Sequence, residues 1–269
     1  MTFLTCGNTC KDFISVLTLN LRFGLADDGS NSWTWRKRIF PILLKRYPAD
    51  FIGFQEANDF QTDFLNDILD EYHFIGQRVP APSFWQNNII FYRNPWKCIH
   101  YDHFYLSATP TVPSRSPESL WARQCTIGVF QYDDRRLLCI NTHLDFSSSV
   151  QTHSAQMIMN RLSQLPSELP AILFGDFNAS PFCPCYRVFT DKRNPPFLDH
   201  RYLFKNVFSS PFPGTHHGFK GDVNGNHIDW ILYRGCLRPI EYGVIHDAID
   251  GRYPSDHFPL FAGFSWRSP

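Results

Sequence analysis

Polar side chains that could do chemistry stand at the ends of several apolar runs in this sequence. They are carboxylates, amides and imidazoles, and no cysteine occupies a comparable position. The residues are Asn20, Gln55, Glu56, Asn141, His143, Asp176, Asn178, Asp229, Asp256 and His257. Strands that end at one rim of a sheet lie beside antiparallel strands that begin there, so these side chains can converge on one site.

The donor atoms in this set favour a hard cation. Carboxylate and amide oxygens suit Mg²⁺, whereas softer metals prefer more imidazole or thiolate. A magnesium ion beside histidine and asparagine can polarise a phosphoryl oxygen and neutralise developing charge. A carboxylate or an imidazole can then activate water. These residue types therefore indicate hydrolysis of a phosphate ester.

Each motif taken alone also has a structural explanation. Asp176 and Asn178 are residue types that favour turns. Gln55 with Glu56 suits the start of a helix, and the SDH segment at 255–257 suits a surface loop. The recurrence of such residues at five strand ends is what favours a shared site.

Hydrophobic periodicity predicts the elements that position these residues. Helical spacing predicts helices over residues 35–47, 60–72 and 150–165. Long surface loops are predicted at 105–122 and 206–226, where Ser, Pro, Gly and Asn accumulate. We predict one domain of α/β class over residues 1–269, with helices covering sheet. The predicted strands are 13–21, 50–55, 87–93, 126–132, 136–142, 171–175, 227–233 and 258–264.

Charge and cysteine content limit the partners and the compartment. The 25 Lys and Arg residues balance the 25 Asp and Glu residues, which argues against a long duplex footprint. No basic and then apolar leader is present, so we expect a cytoplasmic protein with free thiols. Cys183 and Cys185 are spaced too tightly for the usual zinc knuckle. No run of about 18 apolar residues predicts a membrane span.

The order of the motifs resembles the endonuclease/exonuclease/phosphatase superfamily over residues 13–264. The most specific parts are GDFN at 175–178 and SDH at 255–257. NTHLD at 141–145 and HID at 227–229 stand between them. The resemblance implies a four-layer αββα sandwich with two packed mixed β-sheets, related by an approximate internal two-fold.

The resemblance also implies a metal site and a group that handles water. Glu56 resembles the main metal ligand, with Asn20 beside it and Asp256 supporting the metal region. The expected ion is Mg²⁺, and Mn²⁺ could replace it. Asp176 resembles the residue that orients or deprotonates the attacking water, and Asn178 its neighbour on phosphate or metal.

Two histidines complete the catalytic set that the resemblance implies. His257 resembles the histidine that contacts the phosphate, with Asp229 as the carboxylate that orients it. His143 resembles a second imidazole that stabilises the transition state. Whether Asp176 or His257 acts as the base stays open.

Two further segments resemble a bacterial subgroup of the superfamily, namely residues 35–38 and 215–219. The second segment has His216 where the subgroup usually has Phe, and it supplies His217 as a candidate phosphate contact. Arg123 resembles an arginine that clamps a phosphate, which suits its planar fork of donors. Asn20 is a further candidate on the phosphate.

We therefore expect a Mg²⁺-dependent hydrolase of phosphate esters: a phosphodiesterase, a phosphatase or a nuclease. The expected substrate is a small phosphodiester or a short nucleic acid, and the expected state is a monomer. The alternatives are a 3′-exonuclease or deadenylase-like RNase, which shares the segment at 35–38, and a binding protein of this fold that has lost catalysis. A hydrolase of different chemistry, such as a glycosidase or a thiol enzyme, is a third class.

Overall fold

The computed structural model describes residues 13–78, 82, 84–192 and 199–267. The strands are β1 Phe13–Asn20, β2 Phe51–Ala57, β3 Tyr72–Ile75, β4 Asn87–Arg93, β5 Lys97–Tyr105, β6 Gln124–Tyr132, β7 Arg135–His143, β8 Ala171–Asp176, β9 Lys205–Asn206, β10 Asp229–Arg234, β11 Leu237–Val244 and β12 Leu260–Trp266. The helices are α1 Trp33–Arg36, α2 Phe40–Arg46, α3 Asp59–Ile68, α4 Ser148–Leu162 and α5 Pro184–Thr190.

The strands form two six-stranded sheets, one in the order β11-β12-β1-β2-β4-β3 and the other in the order β5-β6-β7-β8-β10-β9. In each described sheet the central pair is parallel, β1 with β2 and β7 with β8, and the other pairs are antiparallel. A helical crossover joins each parallel pair. The two halves of the chain therefore repeat one plan.

Three apolar clusters separate four layers. The middle cluster lies between the sheets, where Ile14 and Phe51 of the first sheet meet Phe130 and Phe174 of the second. A second cluster lies under α1 to α3 and a third under α4 and α5. Burial of apolar area on both faces of each sheet drives this stacking. The predicted αββα sandwich of two packed mixed sheets is confirmed.

The eight predicted strands are the eight interior strands of the two sheets. The four strands that the sequence did not predict are β3, β5, β9 and β11, and all four are edges. An edge strand has one unpaired side and mixes exposed with buried residues, as β5 and β11 do. It therefore lacks the continuous apolar run that marks a central strand.

Two predicted helices differ from the structure. The helix predicted over 35–47 is divided at Lys37–Ile39, a 3₁₀ turn between α1 and α2. Pro41 has no N–H to donate to the preceding turn, so it starts a new helix instead of continuing the old one. The helix predicted over 60–72 ends at Ile68, because Tyr72 begins β3 and its hydroxyl donates to the Ala49 carbonyl at 2.7 Å. Helix α5 was not predicted.

No helix in the described ranges is long and apolar enough to cross a membrane.

Candidate active site

The predicted site residues lie at one end of the sandwich. Strands β1, β2, β7 and β8 end there, and β10 begins there. Strand register aligns three side chains, because His143 pairs with Asp176 and Asp176 pairs with Asp229. The predicted site residues thus converge as expected from the strand ends. They come from the two parallel pairs, β1 with β2 and β7 with β8, and from the antiparallel strand β10.

Glu56 lies at the mouth of this site on an irregular part of β2. Its φ is +58°, and the pairing of β2 with β4 shifts between Phe54 and Ala57. A bulge of this kind turns a side chain out of the regular pleat. Glu56 Oε1 accepts from Asn20 Nδ2 at 3.1 Å, and Oε2 accepts from the Phe23 N–H at 2.6 Å. The carboxylate is partly exposed and held at both oxygens.

Asn20 joins Glu56 to Asp176. Its Nδ2 also donates to Asp176 Oδ2 at 2.8 Å, and its Oδ1 accepts the Arg22 N–H at 2.8 Å. Both ends of the amide therefore bond within the protein. In this arrangement Asn20 orients two carboxylates, and its predicted contacts with metal and phosphate stay predictions.

Asp176 is almost fully buried at the end of β8. Its Oδ1 accepts the Asn178 N–H at 2.8 Å. The residue before it must be glycine, because Gly175 has a φ of +143° and a Cβ there would lie 2.0 Å from the Thr142 carbonyl oxygen. The GDFN turn therefore depends on close approach of the β8 backbone to β7.

His257 and Asp229 form a buried pair. His257 Nδ1 lies 2.9 Å from Asp229 Oδ2, and His257 Nε2 lies 3.8 Å from Asp176 Oδ2. The Asp229 contact fixes which ring nitrogen carries a proton toward it and leaves Nε2 directed to the site. The orienting role of Asp229 stays a prediction, and this contact is the one that it requires.

The charges of this group depend on one another. Burial by itself lowers the pKa of His257, but Asp229 and Asp176 outweigh it and raise that pKa to about 10. Burial, and then the charge of Asp229, raises the pKa of Asp176 to about 7, against the opposing effect of His257. The imidazole is therefore a cation at neutral pH, and the Asp176 carboxylate can accept a proton near neutral pH.

His143 lies on the other side of Asp176 and is neutral. Its Nε2 is 2.9 Å from Asn178 Nδ2 and 3.4 Å from Asp176 Oδ2. Arg123 Nη1 lies 2.9 Å from the same nitrogen. Burial, followed by the positive charges of Arg123 and His257, lowers the pKa of His143 well below its usual value. Asn178 is partly exposed, so this edge of the site is open.

Arg123 is buried behind His143. Its Nε is 3.7 Å from Asp145 Oδ2, and its guanidinium lies over the Phe146 ring at 5.5 Å. Ser119 Oγ also donates to Asp145 Oδ2. The predicted contact of Arg123 with phosphate stays a prediction.

Asp256 lies beside His257 and near Arg22. Arg22 Nη1 is 3.7 Å from Asp256 Oδ2, while Arg22 Nε and Nη2 bond Asp28 at 3.0 and 2.8 Å. Burial alone would raise the pKa of Asp256, but His257 and Arg22 outweigh it and lower that pKa. Asp256 therefore stays ionised at neutral pH.

The two loop histidines lie in different surroundings. His217 stacks on Phe258 at 3.9 Å between centroids, and its Nδ1 accepts the Gly221 N–H at 3.1 Å. His216 lies beside His257, with ring centroids 4.8 Å apart, and its Nε2 is 4.0 Å from Asp256 Oδ2. His216 therefore faces the predicted site. The predicted contact of His217 with phosphate stays a prediction.

The donor chemistry of the site fits a divalent cation. In the described ranges, two groups of side chains have ligand atoms within 4.8 Å of one another: Asp176, Asp229 and His257, and His216, Asp256 and His257. Glu56 belongs to neither group, although Asn20 links it to Asp176. Carboxylate oxygens suit Mg²⁺.

Three structural features were not assigned a role from the sequence. Arg22 has a φ of +61° and lies near Asp256. Gln55 Nε2 donates to Asn141 Oδ1 at 2.7 Å, which ties the two sheets together below the site. Arg36 Nη1 donates to the Leu21 and Pro254 carbonyls at 2.9 and 2.6 Å. Arg36 belongs to the segment at 35–38 that was singled out in the sequence. The sequence could not show which backbone carbonyls its side chain would contact.

The comparisons with known proteins identify the family of this chain. The sequence profile of the endonuclease/exonuclease/phosphatase family matches residues 17–257. The chain belongs to this family of phosphate-ester hydrolases. The comparison with curated proteins found no match.

Solved structures share the fold over nearly the whole chain. An endonuclease/exonuclease/phosphatase family protein from Bacteroides thetaiotaomicron is 26% identical, with a TM-score of 0.84 and coverage of 95% of this chain and 98% of that one. A mannosyl-6-phosphatase from the same organism is 25% identical, with a TM-score of 0.82 and coverage of 94% and 100%. The human Nocturnin catalytic domain, 18% identical, has a TM-score of 0.75 with coverage of 95% and 94% and shares the fold.

Proposed function

We propose that the protein is a Mg²⁺-dependent hydrolase of small phosphate esters in which water attacks phosphorus. The observation that carries the proposal is the connected network in which Asn20 joins Glu56 to Asp176 and Asp176 lies beside His257. Three groups meet at one open rim. They are the partly exposed carboxylate of Glu56, the buried carboxylate of Asp176, whose pKa is raised, and the cationic imidazole of His257. These groups suit metal-assisted attack of water on phosphorus.

Each residue has a distinct task in the proposed reaction. Glu56 would hold Mg²⁺, or Mn²⁺ in its place, with support from Asp256. When bound, the ion polarises a phosphoryl oxygen and neutralises developing charge. Asp176 accepts the proton of the attacking water, which its raised pKa allows near neutral pH.

The histidines serve the phosphoryl oxygens. His257, cationic and oriented by Asp229, donates from Nε2 to an oxygen of the phosphate. His143 and Asn178 form the opposite wall, and Arg123 supplies positive charge behind it. Asp229 acts through His257 and is a positioning residue.

A small ester is the favoured substrate for two reasons. The zero net charge offers no basic surplus for a long nucleic acid. The mannosyl-6-phosphatase matched over its full length suggests sugar phosphates as the first class to test. Deadenylase-like cleavage of RNA is the competing outcome.

The test is hydrolysis of bis-p-nitrophenyl phosphate, p-nitrophenyl phosphate, mannose 6-phosphate and a short oligoadenylate by the purified protein. We expect activity with Mg²⁺ or Mn²⁺, loss in EDTA and recovery when the metal is restored. Glu56→Gln should remove turnover and weaken Mg²⁺ binding measured by calorimetry. Full activity in EDTA would refute the proposal, and preference for oligoadenylate would overturn the assignment of a small ester.

A further inference from the structure

A second group of side chains that could hold a metal ion includes His257. The ligand atoms of His216, Asp256 and His257 all lie within 4.8 Å of one another. The side chain of His216 is 41% exposed, whereas those of Asp256 and His257 are 10% and 7% exposed. The group therefore opens to solvent through His216.

The backbone holds this group in place. His216 and His257 form an isolated antiparallel bridge. The Phe258 N–H donates to the Thr215 carbonyl at 2.7 Å, and the N–H groups of His217 and Gly218 donate to the Asp256 carbonyl at 2.9 and 3.0 Å. Thr215 Oγ1 in turn accepts the Asp229 N–H at 3.1 Å. The loop that carries His216 is thus tied both to the 256–258 segment and to the start of β10.

The donor set differs in kind from the oxygen-rich set around Glu56. Two imidazoles and one carboxylate suit Zn²⁺ and similar ions better than Mg²⁺. The Nδ1 contact of His257 with Asp229 is the outer carboxylate contact that usually orients a metal-binding histidine. Arg22 is a positively charged residue near Asp256 of this group. Its Nε and Nη2 already donate to Asp28, so the guanidinium is held mainly by that carboxylate.

We propose that His216, Asp256 and His257 form an inhibitory site for a borderline transition-metal ion such as Zn²⁺. Coordination by His257 occupies the imidazole that the phosphate needs and so blocks the contact between them. Asp256 is engaged at the same time, which weakens its support of the catalytic ion. The inhibitory effect rests on the proposed function, whereas the binding of the ion does not.

The test measures binding separately from activity. Calorimetry with Zn²⁺ in excess Mg²⁺, and visible absorption with Co²⁺, are compared for three proteins that all carry Cys183→Ser. The substitution breaks the Cys183/Cys185 thiol pair, whose sulfurs lie 3.2 Å apart. The three proteins are the parent, His216→Gln and His73→Gln, a control at an exposed histidine of β3.

We expect one ion per parent chain, Co²⁺ bands without thiolate charge transfer, and affinity that falls at least about 10-fold in His216→Gln but not in His73→Gln. The Zn²⁺ concentration that halves each protein's own Mg²⁺-dependent rate should rise in proportion. Equal affinity of the parent and His216→Gln would overturn the proposed site. A protein that binds Zn²⁺ through His216 yet hydrolyses no ester would refute the proposed function and leave the metal site standing.

Discussion

At the scale of single residues, Asp176 is the centre of the site. It accepts from Asn20 and Asn178, faces His257 and pairs in register with Asp229. Burial, and then the charge of Asp229, raises the pKa of Asp176, whereas the charges of Asp229 and Asp176 raise the pKa of His257 against the effect of its burial. Replacement of Asp229 should therefore change the pKa of both Asp176 and His257.

Asp176→Asn should lower kcat on the order of 10²-fold or more, because the amide cannot accept the proton of water. The amide keeps an oxygen for the Asn178 N–H, so the fold should persist. Steady-state kinetics at saturating Mg²⁺ and a circular dichroism spectrum check both points. A kcat near that of the parent would exclude Asp176 as the base.

His257→Ala should cost on the order of 10²-fold or more in kcat, and Asp229→Asn should cost less. The asparagine keeps an acceptor for His257 Nδ1 but loses the negative charge that helps keep the imidazole protonated. Kinetics of both variants are compared with His73→Ala at an exposed position on β3. A larger loss in Asp229→Asn than in His257→Ala would contradict the orienting role.

At the scale of elements, the site depends on how closely the two sheets pack. Gly53 of β2 faces Phe174 of β8, and a Cβ at Gly53 would lie 2.1 Å from Phe174 Cε2. These two strands carry Glu56 and Asp176 at their ends. The spacing between the sheets therefore sets the spacing between the two carboxylates.

Gly53→Ala should destabilise the protein by about 1–3 kcal/mol through overpacking. Phe174→Leu vacates the space that the new methyl group needs, so the double variant should lose less than the sum of the two single variants. Urea unfolding of the three variants and the parent measures the coupling. Additive losses would show that the two residues do not compete for the same space.

At the scale of the whole molecule, positive and negative side chains balance in number. Several histidines, in addition, are largely buried and neutral. Burial is the main cause that lowers the pKa of His103 and of His217, each to about 4. His103 Nδ1 lies 2.9 Å from Thr126 Oγ1, and the nearby charge of Asp102 offsets the effect of burial only in part. Protonation of His103 would therefore place a positive charge at a largely desolvated position.

The contribution of His103 to the free energy of unfolding should fall as the pH is lowered from about 6.5 to about 4. In that window the unfolded chain binds a proton at His103 that the folded chain does not, so the stability present above pH 6.5 is lost on acidification. This one group contributes up to about 3 kcal/mol. His103→Asn, whose amide can still donate to Thr126, should reduce the loss in urea titrations at each pH. An unchanged pH dependence would assign the acid sensitivity to other groups.

The sequence by itself determined the eight interior strands and the residues at their ends. Central strands are buried on both faces and so read as continuous apolar runs, and polar residues that interrupt such runs stand out. That is why Glu56, Asp176, Asp229 and His257 could be selected together. Edge strands have no such signal, because half of their surface faces water.

Only the tertiary structure decided which atoms meet. The bulge at Glu56, the use of both ends of the Asn20 amide, and the placement of His216 rather than His217 beside His257 depend on backbone conformation and strand register. Contacts between residues far apart in the chain, such as the 2.8 Å bond from Asn20 to Asp176, come from the packing of one sheet on the other. No local pattern encodes that distance.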